Sequence, residues 1–203
     1  MHPNKIFRGA EQAANISFAQ TRAFGTLCVT ADEVLLTHIP FLLSDDGKMA
    51  EFHLVRSNPI ARLKQVSQAV IAVTGPDGYV SPDWYGADDQ VPTWNYVAVH
   101  LRGRLVPLEQ DALHDILVRQ AAAYEARIEG KAPWTFDKMS PEAVTKMERM
   151  IVPMRLEVET IDGTWKLGQN KDDPVREAAA AQMHTGIGQE LAEIAKLMGE
   201  PPA

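Results

Sequence analysis

Between Tyr96 and Leu108 the chain reads YVAVHLRGRLVPL, and two kinds of side chain alternate along it. Tyr96, Ala98, His100 and Arg102 fall in one set, Val97, Val99 and Leu101 in the other. A period of two sends alternate side chains to opposite faces of an extended strand, and a helix cannot separate these sets. One face must enter a core, and the other is left for solvent, a partner or a site. The pattern recurs. TLCVTA and VLLTHIPFLLS flank a polar turn at Asp32-Glu33, MAEFHLV follows the turn signal SDDGK, and MRLEVETI alternates again. QAVIAVTG is apolar enough to be buried on both faces. Six or seven strands joined mostly by hairpins predict a mainly β chain with helices, built as an antiparallel barrel.

Punctuation divides the rest. GPDG from Gly75 and Asp162-Gly163 are expected as turns, the second leading into a return strand TWKLG. Leu35 to Val55 is expected as a hairpin around SDDGK, which puts His38 and His53 at matching places on adjacent strands. Helices are expected over Glu11–Thr21, Asn58–Ser67 and Glu109–Glu129, and after an N-cap at Ser140. The helix over Asn58–Ser67 would close one barrel opening. Asp173–Met198 reads as helical, broken at HTGIGQE. A length of 203 residues fits one domain over 1–203, with 172–203 as a C-terminal helical extension.

Charge and motif content narrow the function classes. A net charge of −7 opposes broad electrostatic capture of DNA, which needs cations to meet phosphates, so no direct DNA binding is expected. No apolar run approaches the roughly 20 residues of a membrane span, and no secretory signal opens the chain, so a cytoplasmic location is expected. The single cysteine, Cys28, reads as a strand residue rather than a reactive thiol. There is no GxSxG elbow, no GxGxxG after a strand and no phosphate loop of the GxxxxGK[ST] type. Two histidines alone do not make a zinc site, so no metal is expected. RSNP at Arg56–Pro59 pairs a cation with a helix start, which suits a phosphate, although N-capping by Ser57 or Asn58 explains the same residues without a ligand. Five of the eight Trp and Tyr residues fall between Tyr79 and Tyr96, enough to wall a flat ligand.

In this order the motifs resemble the PaiB-type FMN-binding negative transcriptional regulators, a branch of the FMN-binding split-barrel superfamily. The likeness rests on FGTL at Phe24, THIPFLL at Thr37, HLVRSNP at His53, GPDGYVSPDWY, VPTWNYVAVHLRG and KLGQN at Lys166, and covers nearly the whole chain. It departs at Gly168, where the family motif carries Ser. The resemblance implies a six-stranded split barrel that forms a homodimer with FMN at the subunit interface. It puts Thr37, His38, Arg56, Ser57 and Asn58 around the ribityl phosphate and Ile39 and Pro40 beside the isoalloxazine, with His53 also among the cofactor-binding residues. Trp94, Asn95, Lys166, Gln169 and Asn170 would complete the pocket from the other subunit. The function implied is that of a flavin-dependent redox enzyme or redox sensor. Alternatives are a transcriptional regulator acting through a partner or DNA, and a flavin-less protein binding haem through His38 or His53.

Overall fold

A computed structural model describes residues 2–63 and 67–202. Among these residues six long strands form one sheet: β1 (Phe24–Thr30), β2 (Val34–Pro40), β4 (Met49–Val55), β5 (Ser67–Val80), β6 (Thr93–Pro107) and β7 (Ile151–Lys166). Two short strands, β3 (Leu42–Leu43) and β8 (Gly188–Gln189), bring the total to eight. The strand order is β2-β1-β5-β6-β7-β4-β3, with β8 paired to β5. The helices are α1 (Gln12–Arg22), α2 (Ala112–Glu125), α3 (Pro141–Glu148), α4 (Asp173–Gln182) and α5 (Leu191–Gly199). Ser140 caps α3 as its sequence predicts, its hydroxyl accepting from the Ala143 N–H at 3.3 Å.

The chain divides into two compact units. One comprises Met1–Arg22, Ala72–His100 and Ile161–Ala203, the other Ala23–Ile71 and Leu101–Thr160. In the first, α4, the 3-10 turn after it and α5 lay Ala179, Met183, Ile194 and Met198 against Val80, Val97, Trp165 and Leu167. The C-terminal helices therefore supply core to this unit. In the second, Phe41, Phe52, Leu27, Ile39 and Leu156 are buried among the strands, and α2 adds Leu113 and Ile116. Each such side chain contributes about 1.5–3 kcal/mol of transfer free energy.

Three expectations are corrected. The stretch VLLTHIPFLLS is two strands: β2 pairs with β1, and β3 pairs with β4. Pro40 has no N–H to continue a ladder, and the Phe41 N–H turns to the Ala23 carbonyl at 2.9 Å. His38 consequently lies opposite Thr26, and His53 opposite Pro153. The two histidines do not share adjacent strands.

The second correction concerns glycine. GPDG lies inside β5 and Asp162-Gly163 inside β7, both continuous strands. Neither Gly78 nor Gly163 has a positive φ. Both are places of close approach: a Cβ would meet Met183 Cε at 2.2 Å from Gly78, and Asn15 Oδ1 at 1.9 Å from Gly163. Glycine is needed there so that a helix can lie on the strand, not so that the chain can reverse.

Third, the helix expected over Asn58–Ser67 is a 3-10 turn at Ile60–Arg62, and Leu63 is already extended. Lys64–Val66 lie outside the described residues. Asn58 does cap, its Oδ1 accepting from the Ile60 N–H at 2.9 Å. It caps a single turn, too short to concentrate a helix dipole on a phosphate.

Candidate functional site

The expected site residues fall into two groups. Thr37, His38, Ile39, Pro40, His53, Arg56, Ser57 and Asn58 belong to the second unit; Trp94, Asn95, Lys166, Gln169 and Asn170 belong to the first.

Within the second unit, Asn58 Nδ2 donates to the Thr37 hydroxyl at 3.2 Å and so ties the turn after β4 to β2. Ile39 points into the core, and the Pro40 carbonyl accepts from Gln120 at 3.4 Å. His38 is exposed and stacks on Phe24, with centroids 6.3 Å apart and planes 18° from parallel. Arg56 is engaged with its own unit. Its Nε donates to the Arg149 carbonyl at 3.0 Å, and its Nη2 to Gln110 Oε1 at 2.9 Å and the Ile151 carbonyl at 3.2 Å. Those bonds fasten the end of β4 to the start of β7. None of the three involves Nη1. Ser57 is exposed.

The first unit carries a cleft of about 540 Å³. Thr74 and Asp77 of β5, Trp94 and Tyr96 of β6, and Ile187 and Gln189 line it. Trp94 is 45% exposed, and Tyr79 meets its ring edge-on at 6.3 Å. The aromatic cluster is thus divided in its duties. Trp94, Tyr96 and Tyr79 stand at the cleft, whereas Tyr85 is buried and Trp84 packs against the C-terminal helices.

Behind Trp94 the polar groups are partly withdrawn from water. Lys166 Nζ bonds the Thr93 hydroxyl, and donates to the Trp94 carbonyl at 2.7 Å. Burial lowers its pKa from the usual lysine value. Asn95 is buried, and its Nδ2 has no hydrogen-bond partner. Gly168 lies beside it in the left-handed region at φ +85°, and a Cβ there would come 3.8 Å from that nitrogen. The departure from Ser at this position therefore falls where the backbone favours glycine. Gln169 is spent on its own turn: Oε1 accepts from Leu167 N–H at 2.8 Å and Nε2 donates to the Trp165 carbonyl at 2.5 Å. Asn170 is exposed.

The exposed indole of Trp94, with Tyr96 beside it and Thr74, Asp77 and Gln189 on the same cleft, suits a flat heterocycle with a polar edge. The chemistry present fits an isoalloxazine.

Comparison with known proteins agrees. Residues 1–160 match the family described as "Putative FMN-binding domain". The chain is 30% identical over 202 residues to Protease synthase and sporulation protein PAI 2 of Bacillus subtilis, covering 98% of this chain and 96% of that protein. In three dimensions it is similar to the FAD and heme binding protein from Mycobacterium smegmatis, with TM-score 0.58 and 17% identity over 90% of this chain and 82% of that one. It is equally similar to the flavocytochrome Anf3 from Azotobacter vinelandii, with TM-score 0.58 and 10% identity over 83% and 73% of the two chains. This chain belongs to the FMN-binding domain family, with a mainly antiparallel split-barrel fold and FMN as cofactor.

Missed from the sequence was a second hollow, in the second unit, of about 400 Å³. Trp134 and Phe136 help to line it, together with His53. Their sequence context, KAPWTFDKM, carries two aromatics in a polar loop, and that pairing was the available signal.

Proposed function

We propose that this protein is an FMN-dependent redox protein acting as a homodimer, with the flavin ring held at the Trp94 cleft. The observation that carries this reading is the half-exposed Trp94 indole, which lines a cleft of about 540 Å³ together with Tyr96 on the same face of β6. Trp94 would cover one face of the ring, and Thr74, Asp77 and Gln189 of the cleft would meet its polar edge. Arg56 Nη1, with Ser57 and Thr37, would meet the phosphate, contributed by the partner subunit. FMN supplies reversible acceptance of electrons or hydride. This chain's groups bind it, orient it and exclude water from one side.

Pairing of two copies is supported by an edge strand with an apolar outward face. Val34 and Leu36 of β2 are 64% and 62% exposed, and Phe24 on the neighbouring strand is 55% exposed. An uncovered edge of this kind invites another chain. The purified protein should show the visible bands of oxidised flavin, bind FMN more tightly than riboflavin, and sediment at twice the monomer mass. A monomer that takes up FMN and riboflavin equally would sink the two-subunit site. An intense Soret band on haemin addition, with no flavin retained, would favour haem through His38 or His53.

A second reading is gene regulation, supported by the printed name of the Bacillus subtilis relative and its near full-length alignment. A net charge of −7 per chain favours action through a protein partner over direct contact with DNA. Anisotropy titration of genomic fragments near physiological salt tests this. Selective retention of one fragment would reverse the preference.

A further inference from the structure

His53 belongs to the face of β4 that carries Glu51, the face on which α2 packs. Its Nδ1 is buried and has no hydrogen-bond partner. A bare imidazole nitrogen out of water is costly unless something reaches it. The ring borders a hollow of about 400 Å³, within the size range of small-molecule sites. Leu117 of α2, Trp134, Phe136, Met147 and Ile151 make the rest of the lining almost wholly apolar.

Two features show that this hollow is built. Trp134 and Phe136 meet edge to face at 4.9 Å, and their loop is anchored by Glu125. Glu125 Oε2 accepts the Trp134 N–H at 2.8 Å and pairs with Lys131. The one acidic group on the lining, Glu148, is already bound to His114 Nδ1 at 2.8 Å. Access is through exposed methionines: Met147 and Met150 are 52% and 54% exposed. Thioether side chains adapt to an entering aromatic ring.

Gln120 Nε2, on the helix facing His53, donates to the carbonyls of Pro40 and Glu51, both at 3.4 Å. A neutral imidazole keeps one ring nitrogen with a free lone pair, and the unpartnered Nδ1 is the nitrogen open to a ligand's hydroxyl. Burial lowers the His53 pKa, opposed by the Gln120 contact, which keeps the ring neutral near pH 7.

We propose that this hollow binds a phenol-class molecule of one or two rings, its rings among Trp134, Phe136 and the methionines and its hydroxyl donating to His53 Nδ1. This goes beyond flavin binding and uses a different set of residues, apart from His53.

The test is calorimetric titration of the FMN-loaded protein with 1-naphthol and with naphthalene, which has the same rings and no donor. The expected result is naphthol binding about tenfold tighter, the worth of one buried hydrogen bond. His53→Phe should erase that preference, and Leu117→Trp should abolish binding of both. If Leu117→Trp does not fold, Met147→Trp at the mouth serves instead. In the ¹⁵N-histidine spectrum, naphthol should shift the Nδ1 resonance of His53. Equal affinity for the two probes, no binding of naphthol, or unchanged binding in both filled variants would each overturn the proposal. Flavin absorbance in the same samples reports separately on the flavin reading.

Discussion

The cleft at Trp94 and the hollow at His53 are of similar size and differ in what makes their walls. The cleft is walled mainly by strands β5 and β6, with Thr74, Asp77 and Gln189 among its lining. Its aromatic residues lie close together in the chain. The hollow takes His53 from β4 and Ile151 from β7, and most of the rest of its lining from α2, α3 and the loop between them. A strand wall brings backbone amides and alternating polar groups to a ligand, which suits a heterocycle with many acceptors. A wall of helix and loop side chains can be made almost purely apolar, which suits a ring with a single polar handle. Two sites of one size can therefore ask for different chemistry because of the elements that build them.

The largest expected effect strikes the scaffold beneath the cleft. Gly163→Ala would drive a methyl group into Asn15, whose Oδ1 accepts from Trp165 Nε1 at 2.8 Å inside the core. Loss of about 3 kcal/mol is expected from overpacking and the broken buried bond. Gly78→Ala should cost about 1 kcal/mol, because the Met183 tip it meets can swing away. Urea denaturation of the two variants checks the ranking, and equal losses would contradict it.

Next comes the scaffold beside the hollow. Glu51 accepts from Arg155 Nη2 at 2.6 Å and from Arg119 Nη2 at 2.7 Å, which joins β4 to β7 and α2. Burial pushes its pKa up, but the two guanidiniums outweigh it and hold the carboxyl below its usual value. A carboxylate with a depressed folded pKa contributes stability at neutral pH, and loses it as pH falls through the folded value. Glu51→Gln should cost about 2 kcal/mol at neutral pH and little in strong acid. Melting temperature against pH, wild type beside variant, is the measurement.

A smaller effect sharpens the cleft itself. Trp94→Ala should weaken FMN binding by about fivefold, near 1 kcal/mol for one stacked ring, with folding intact because the indole is exposed. Unchanged affinity by flavin fluorescence titration would move the ring away from Trp94.

The smallest effect belongs to His53, on the same strand face as Glu51. Its lowered pKa means that the unfolded chain takes a proton before the folded one does. Stability contributed by His53 is whole above the ordinary imidazole pKa, and declines as pH falls through that value towards the folded one. His53→Phe should flatten this shallow slope, with naphthol binding as the accompanying readout.

Much of the architecture was legible in the chain, and particular residues show why. Strands such as β6 and β7 follow from period-two alternation, which only an extended backbone can satisfy. Ser140 and Pro141 mark the start of α3, because capping is a local matter between neighbours in sequence. The SDDGK turn is equally local: Gly47 has φ +71°, and Ser44 bonds across it. Trp94 and Tyr96 could be suspected because the aromatic residues cluster along the chain.

What tertiary structure decided are the features set by distant partners. Gly78 of GPDG and Gly163 carry the same letter as a turn glycine, yet they lie in strands where Met183 and Asn15 approach them from far along the chain. Arg56 reads as a phosphate ligand until Arg149, Ile151 and Gln110 arrive to share it. His53 and Trp134 are 81 positions apart, and no local pattern joins them. Periodicity and capping depend on the next few residues and can be read in order. Close packing, shared hydrogen bonds and cavities depend on which segments meet, and the chain settles that only by folding.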